Sequence, residues 1–203
     1  MDRIELPEYY LDPKLISLVT ERLRAGAIAI IPTDTVYALA CDPGNQNSVE
    51  RMCQLVNKKA NTALLSLLCS NFRQISDFTA PIAQSTFRLM REKLPGPYTF
   101  ILKASAAVEK QFHNRRKTIG VRIPNHPVLL QILEDFGQPL MVTSLHSDDH
   151  ILEYAHDPDE IATEMPGIAD LLVDSGPCGI EPSTVVDCSR SEPLLIRQGK
   201  GLW

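Results

Sequence analysis

Apolar and polar positions along this chain follow two periods in turn. In "DPKLISLVTERLRAG", Leu15, Ile16, Val19 and Leu23 recur at helical spacing, with Asp12 able to cap, Pro13 in the first turn and Gly26 at the exit. That is an amphipathic helix with its stripe on the core. Helices are also expected over 47–56, where Val49, Met52, Leu55 and Val56 share a side, and over 80–93, ended by "LPGP". A further one is expected in "NHPVLLQILEDFG", with Pro127 early and Gly137 at its exit, and a weaker one over 157–164. Short apolar runs read as strands: "AIAII", "ALLSLLC", "YTFILKA", "KTIGVRI", "PLMVTS", "ADLLVDS", "STVVDCS" and "PLLIRQG". Helices alternate with strands early and strands cluster late, which predicts an α/β fold around a twisted mixed sheet. No repeat, low-complexity tract or linker interrupts residues 1–203, so one domain is expected.

One stretch breaks the pattern. "IPTDTVYALACD" (31–42) begins as a buried strand and then sets two threonines, an aspartate and a tyrosine behind a proline, with no glycine until Gly44. A plain turn needs fewer polar groups, so this reads as a strand end that delivers side chains to a site. The alternative is an Asx or Ser/Thr turn entering a helix.

Composition narrows the class. With 203 residues, 44% hydrophobic and 22% charged, the chain is long enough to bury a core without staples. Its start, "MDRIELPEYY", lacks the features of a signal peptide, and no apolar run approaches a membrane span, so a cytoplasmic protein with no membrane partner is expected. Five cysteines, an odd number without a C-x-x-C pair, read as buried reduced thiols. The net charge of −5 hides an asymmetry: nine cations between Arg88 and Arg122 face only Glu92 and Glu109, whereas Arg190 is the sole cation from 131 to 192. A basic third in an acidic protein points to a polyanion, nucleotide phosphate or RNA, against the alternative of an ordinary solvated face. Arg88, Arg91, Arg115, Arg116 and Lys117 are the candidate RNA contacts.

Hydroxyls and arginines gather at predicted strand ends. "PTDT" follows the first strand, "TSLH" follows 139–142 and "PST" opens 184–188, while Arg122 and Arg197 lie on strands. Ligands of open α/β sheets collect at strand ends, and arginine forks suit phosphates and carboxylates. "HSDDH" reads better as a polar surface loop than as a metal site, and no metal is expected. There is no Walker A loop, no G-x-G-x-x-G and no G-x-S-x-G, so a nucleotide site here is of another design.

"IPTDTVYALACDP", "LPGPYTFILKA", "KTIGVRIPNHPVLLQILEDFGQPLMVTS" and "EPSTVVDCS…LLIRQGKG" occur in the order and spacing of the YrdC-like domain family, and the resemblance spans roughly residues 12–201. It implies an open twisted sheet with a concave basic face. It also implies threonylcarbamoyl-AMP synthesis from L-threonine, bicarbonate and ATP, serving a modified adenosine in transfer RNA. On that resemblance Thr33, Thr35, Arg122 and Ser183 match substrate contacts, and Lys58, Thr118, Ser144, His146 and Arg197 match nucleotide contacts. ATP would be a substrate, with Mg2+ as an optional companion and no tightly bound cofactor; AMP, L-threonine and transfer or duplex RNA are the other implied partners.

The resemblance has gaps. The synthases carry Lys-x-Arg and a further lysine where this chain has "LVNKKANTALL", which places Val56, Lys58 and Thr62 at those positions. Ser-x-Asn becomes Ser144-Leu145-His146. These changes, with "RKTIG", resemble the YciO branch. Three readings stay open: an enzyme of threonylcarbamoyl-AMP chemistry with an impaired ATP-phosphate site, a duplex RNA or transfer RNA binding module, and a ligand-binding paralogue without adenylation.

Overall fold

The structure, a computed structural model, describes residues 1–55, 65–106, 108, 117–145 and 155–203. Its centre is one ten-stranded mixed sheet. In chain order the strands are β1 (Asp2–Glu5), β2 (Ala29–Ile31), β3 (Ala38–Cys41), β4 (Ser66–Leu68), β5 (Tyr98–Lys103), β6 (Thr118–Arg122), β7 (Leu140–Ser144), β8 (Leu171–Asp174), β9 (Thr184–Asp187) and β10 (Leu194–Arg197), arranged in space as β1-β8-β2-β3-β7-β4-β6-β5-β9-β10. Six helices are described: α1 (Pro13–Arg24), α2 (Gln46–Leu55), α3 (Phe72–Phe78), α4 (Gln84–Lys93), α5 (Pro127–Phe136) and α6 (Pro158–Glu164). The expected helices and strands are all present, and the α/β architecture stands.

Strand alternation divides the core in two. Ile30, Leu39, Leu67, Phe100, Val121, Met141 and Leu172 point to one side, where α2, α3, α4 and α6 cover them through Met52, Ile75, Met90 and Ile161. Ala29, Ile31, Ala38, Ala40, Leu68, Leu140, Val142, Leu171 and Val173 point to the other, under Ile16, Val19 and Leu23 of α1 and Val128, Ile132 and Leu133 of α5. Among the described residues, α1 and α5 are the two helices on that second side, and none of the described helices covers the part of it built by β4, β6, β5, β9 and β10.

Three elements are not in the sequence expectation. Strand β1 has no apolar alternation; it pairs in parallel with β8, and Arg3 anchors it with Nε and Nη2 at 2.8 and 2.5 Å from Asp174. Helix α3 has only seven residues, too few to show a period, and starts where Asn71 accepts from the Gln74 amide at 3.0 Å. Strand β3 decides between the two readings of "IPTDTVYALACD" in favour of the strand end. The chain does not enter a helix; it turns and pairs antiparallel with β2, Ala29 opposite Ala40.

Candidate functional site

The hairpin turn between β2 and β3 stays inside the protein, with Thr33 4% and Thr35 1% exposed. Buried hydroxyls need partners, and here they form a chain. The Thr33 hydroxyl donates to the Val36 carbonyl at 2.7 Å and accepts from the Thr35 amide at 3.0 Å. Its proton is thereby committed, so across the 2.8 Å contact between the two hydroxyls Thr35 is the donor. Thr35 Oγ1 in turn accepts from Arg122 Nη1 at 2.9 Å.

Arg122, at the end of β6, is 5% exposed. Its Nε reaches the Gly96 carbonyl at 3.2 Å, and its Nη2 meets Asp34 Oδ1 at 2.5 Å. Burial lowers its proton affinity and the Asp34 carboxylate opposes that, which leaves a guanidinium charged at any ordinary pH. Three of its five N–H groups are spent on the protein, and two remain for a ligand. Asp34, the acid of "IPTDTVYALACD", was not singled out as a site residue; its signal is an acid in a strand-end motif that meets a strand-borne arginine.

Around this pair the open half of the sheet forms a cavity of about 310 Å³. Thr33, Thr35, Thr118, Arg122, Ser144, Ser183 and Arg197 all line it. Register explains the convergence. Ser66 lies opposite Gly120, Ile101 opposite Gly120, Thr99 opposite Val185 and Val185 opposite Arg197, so these residues share one face of the sheet. A register shift between Leu195 and Arg197 lets Ile196 line the cavity as well. Arg197 Nε and Nη2 hold the Ser183 carbonyl at 3.2 and 2.9 Å, and the Ser183 and Thr99 hydroxyls are 2.9 Å apart. Thr99, Ser66 and Gly120 were not anticipated as site residues; the available signal was a hydroxyl or glycine interrupting an otherwise apolar strand.

The glycines of "RQGKG" have a packing reason. A Cβ on Gly201 would sit 2.5 Å from the Tyr98 ring, and one on Gly199 would sit 2.2 Å from the Pro182 carbonyl oxygen. Only glycine lets the chain after β10 press against Tyr98 of β5 and against Pro182 and Ser183, just before β9.

Other candidates lie elsewhere. Arg88 and Arg91 are exposed on α4, which packs on the opposite side of the sheet, and Lys117 is exposed just before β6. Arg122, the last member of the basic run that begins at Arg88, is buried and paired with Asp34, so it is not part of an exposed positive face. Lys58, Arg115, Arg116 and His146, like Val56, Thr62 and "HSDDH", lie outside the described residues. The five cysteines are free thiols, four of them buried. Burial pushes Cys178 and Cys188 up to about 11, so neither is a thiolate nucleophile near neutrality. No described helix is long and apolar enough to cross a membrane.

The family model described as "Telomere recombination", Sua5/YciO/YrdC, matches residues 21–199. The chain belongs to the Sua5/YciO/YrdC family. "Uncharacterized protein YciO" of Escherichia coli (strain K12) is 33% identical over 199 residues, 95% of each chain. The crystal structure of E. coli YciO superposes with a TM-score of 0.87 over 98% of this chain and 95% of that one, at 32% identity. The "Threonylcarbamoyl-AMP synthase" of Vibrio vulnificus (strain YJ016) is 30% identical over 128 residues, 62% of this chain and 68% of that one. P. abyssi Sua5, whose crystal structure is complexed with L-threonine, shares the fold at a TM-score of 0.86 and 24% identity, over 98% of this chain and 58% of that one. The expected family and YrdC-like fold are thus established.

Proposed function

We propose that the cavity of this Sua5/YciO/YrdC protein binds the carboxylate of L-threonine together with an adenine nucleotide. The chemistry is that of threonylcarbamoyl-AMP, tied to transfer RNA modification. The observation that carries this reading is Arg122: a buried guanidinium, fixed by Asp34, Thr35 and Gly96, with two N–H groups left over beside a cavity lined by hydroxyls. A carboxylate matches two such donors. The synthase name of the V. vulnificus relative and the L-threonine in P. abyssi Sua5 support the same assignment.

In this reading Arg122 holds the carboxylate, assisted by Ser183, and Thr35 keeps the guanidinium in place. Thr118, Ser144, His146, Lys58 and Arg197 face the nucleotide. The synthase reaction joins L-threonine, bicarbonate and ATP with release of pyrophosphate. It asks for in-line placement and charge neutralisation more than for a general base. ATP enters as a substrate, Mg2+ would accompany its phosphates, and no resident cofactor is proposed. Val56 and Thr62 stand where synthases carry lysines. A charge-assisted hydrogen bond contributes about 1.5–3 kcal/mol, so lacking two weakens triphosphate binding by roughly a hundredfold or more. AMP and threonylcarbamoyl-AMP, without β- and γ-phosphates, suffer less. Calorimetry with ATP, AMP and threonylcarbamoyl-AMP, beside pyrophosphate release with and without threonine and bicarbonate, tests the ordering. ATP bound far more tightly than AMP would refute the impaired phosphate site.

A second reading, duplex or transfer RNA binding, rests on the exposed Arg88, Arg91 and Lys117. Its measure is the salt slope of RNA affinity, which should fall when these three become alanine.

A further inference from the structure

Thr99 interrupts the apolar run of β5, between Tyr98 and Phe100, which point into the core on the far side of the sheet. β5 and β9 are parallel, with Tyr98 beside Thr184 and Thr99 beside Val185. Thr99 therefore shares the cavity face with Val185, and Ser183, one residue before β9, returns to that face by alternation. Both line the cavity, both are buried, and Thr99 Oγ1 lies 2.9 Å from Ser183 Oγ. A β-branched side chain is stiff at χ1. A Cβ on Gly120 of β6 would meet Thr99 Cγ2 at 3.4 Å, so the methyl lies over that glycine while the hydroxyl is turned to Ser183. Arg197 holds the Ser183 carbonyl. The backbone of Ser183 is thus fixed from β10 and its side chain from β5.

Two hydroxyls carry two protons. One is used in the contact between them, and neither hydroxyl has another partner among the described residues. The second proton is left for the cavity. Which residue presents it depends on the direction of the contact, and a hydroxyl rotates to suit its neighbours. In the Thr33–Thr35 pair the Val36 carbonyl fixes that direction. Between Thr99 and Ser183 no backbone group does, so the ligand sets it. A carboxylate only accepts. It selects the arrangement in which Thr99 donates to Ser183 and Ser183 donates to the ligand.

We infer that Thr99 is a positioning residue for Ser183: it aims the Ser183 hydroxyl into the cavity as a donor to an anion already held by Arg122. Hydrogen bonds in a chain polarise one another, so the bond Ser183 accepts strengthens the one it gives. The functional consequence rests on the reading that Arg122 and Ser183 hold the threonine carboxylate; the hydroxyl pair itself does not.

The test is a double-variant cycle on Thr99→Val and Ser183→Ala, read by calorimetry with L-threonine and by urea unfolding without ligand. Thr99→Val keeps the side-chain shape and removes the hydroxyl. It should weaken L-threonine roughly two- to tenfold, the worth of one hydrogen bond. Ser183→Ala should lose at least as much, and the double variant should bind no worse than Ser183→Ala alone, because Thr99 acts through Ser183. Thr99→Ser, which restores the hydroxyl, should recover most of the affinity. A double variant whose loss is the product of the two single losses overturns the proposal. So does Thr99→Val with parental affinity, or Thr99→Ser as weak as Thr99→Val. The unfolding curves show that each variant is folded, and they decide the matter for a parent that binds no L-threonine. In that case non-additive shifts in unfolding free energy leave the pair standing while the carboxylate reading falls, and additive shifts overturn the pair as well.

Discussion

One face of the sheet has two halves. Under α1 and α5 it is built from Ala29, Ile31, Ala40, Leu140 and Val173, all buried and apolar. A few strands away, on the same face, it is built from Ser66, Thr99, Thr118, Arg122 and Arg197 around an open cavity. Both halves are strands of the same sheet, and they meet where β7 pairs with β4. What differs is whether a helix lies on top. Where one does, each outward position must be apolar to repay its burial. Where none of the described helices does, the strands carry hydroxyls and guanidinia that line the cavity.

The largest effect should come from breaking the buried pair that joins the halves. Arg122→Ala leaves Asp34 buried without its partner, and losing one member of such a pair costs about 3–5 kcal/mol. Combining Arg122→Met with Asp34→Leu removes both charges, so urea unfolding should recover most of that loss while threonine binding stays absent. Recovery of stability without recovery of binding would mark the pair as functional. Next, Leu133→Ala in α5, at a fully buried position, should cost about 2–5 kcal/mol and leave ligand affinity of the folded protein unchanged. A smaller cost, about 1–3 kcal/mol for overpacking, is expected from Gly120→Ala. The new Cβ would meet the Ser66 hydroxyl at 2.4 Å on the cavity floor, and here affinity should drop with stability. A Leu133→Ala protein with weakened binding, or a Gly120→Ala protein with normal binding, would erase the division between the halves.

The covered half was legible in the sequence because burial writes a period. The stripe Ile16, Val19, Leu23 and the Asp12 cap, whose carboxylate accepts from the Lys14 amide at 2.9 Å, appear as read. Strand β1 was not legible, since "DRIE" is held by an edge pairing and by Arg3 rather than by apolar alternation. The open half was legible in part. Threonines and serines at strand ends, with two arginines on strands, do meet in one cavity. The partners of Arg122 were not, because Asp34 and Gly96 lie 88 and 26 residues away in the chain. Nor did the order of the strands follow from the sequence, and that order decides which half stays uncovered.

The smallest expected effect on stability gives the sharpest test of the open half. Thr118 begins β6, is half-buried, lies opposite Lys103 and lines the cavity. Thr118→Val keeps the β-branched shape that suits a strand and removes one hydroxyl. At a position not sealed from water, such a change should stay within about 0.5 kcal/mol of the parent in urea unfolding. If that hydroxyl serves only the strand, affinity for AMP should be unchanged as well. If it contacts the nucleotide, losing one hydrogen bond of about 0.5–1.5 kcal/mol should weaken AMP roughly two- to tenfold. Threonine, which the proposed function places at Arg122, should bind as before. The same change at a buried threonine of the turn, Thr35→Val, strips a partner from Arg122 Nη1 and should lower stability and threonine affinity together. Opposite selectivity, AMP lost at Thr118 and threonine lost at Thr35, would place the two ligands at the two ends of one cavity.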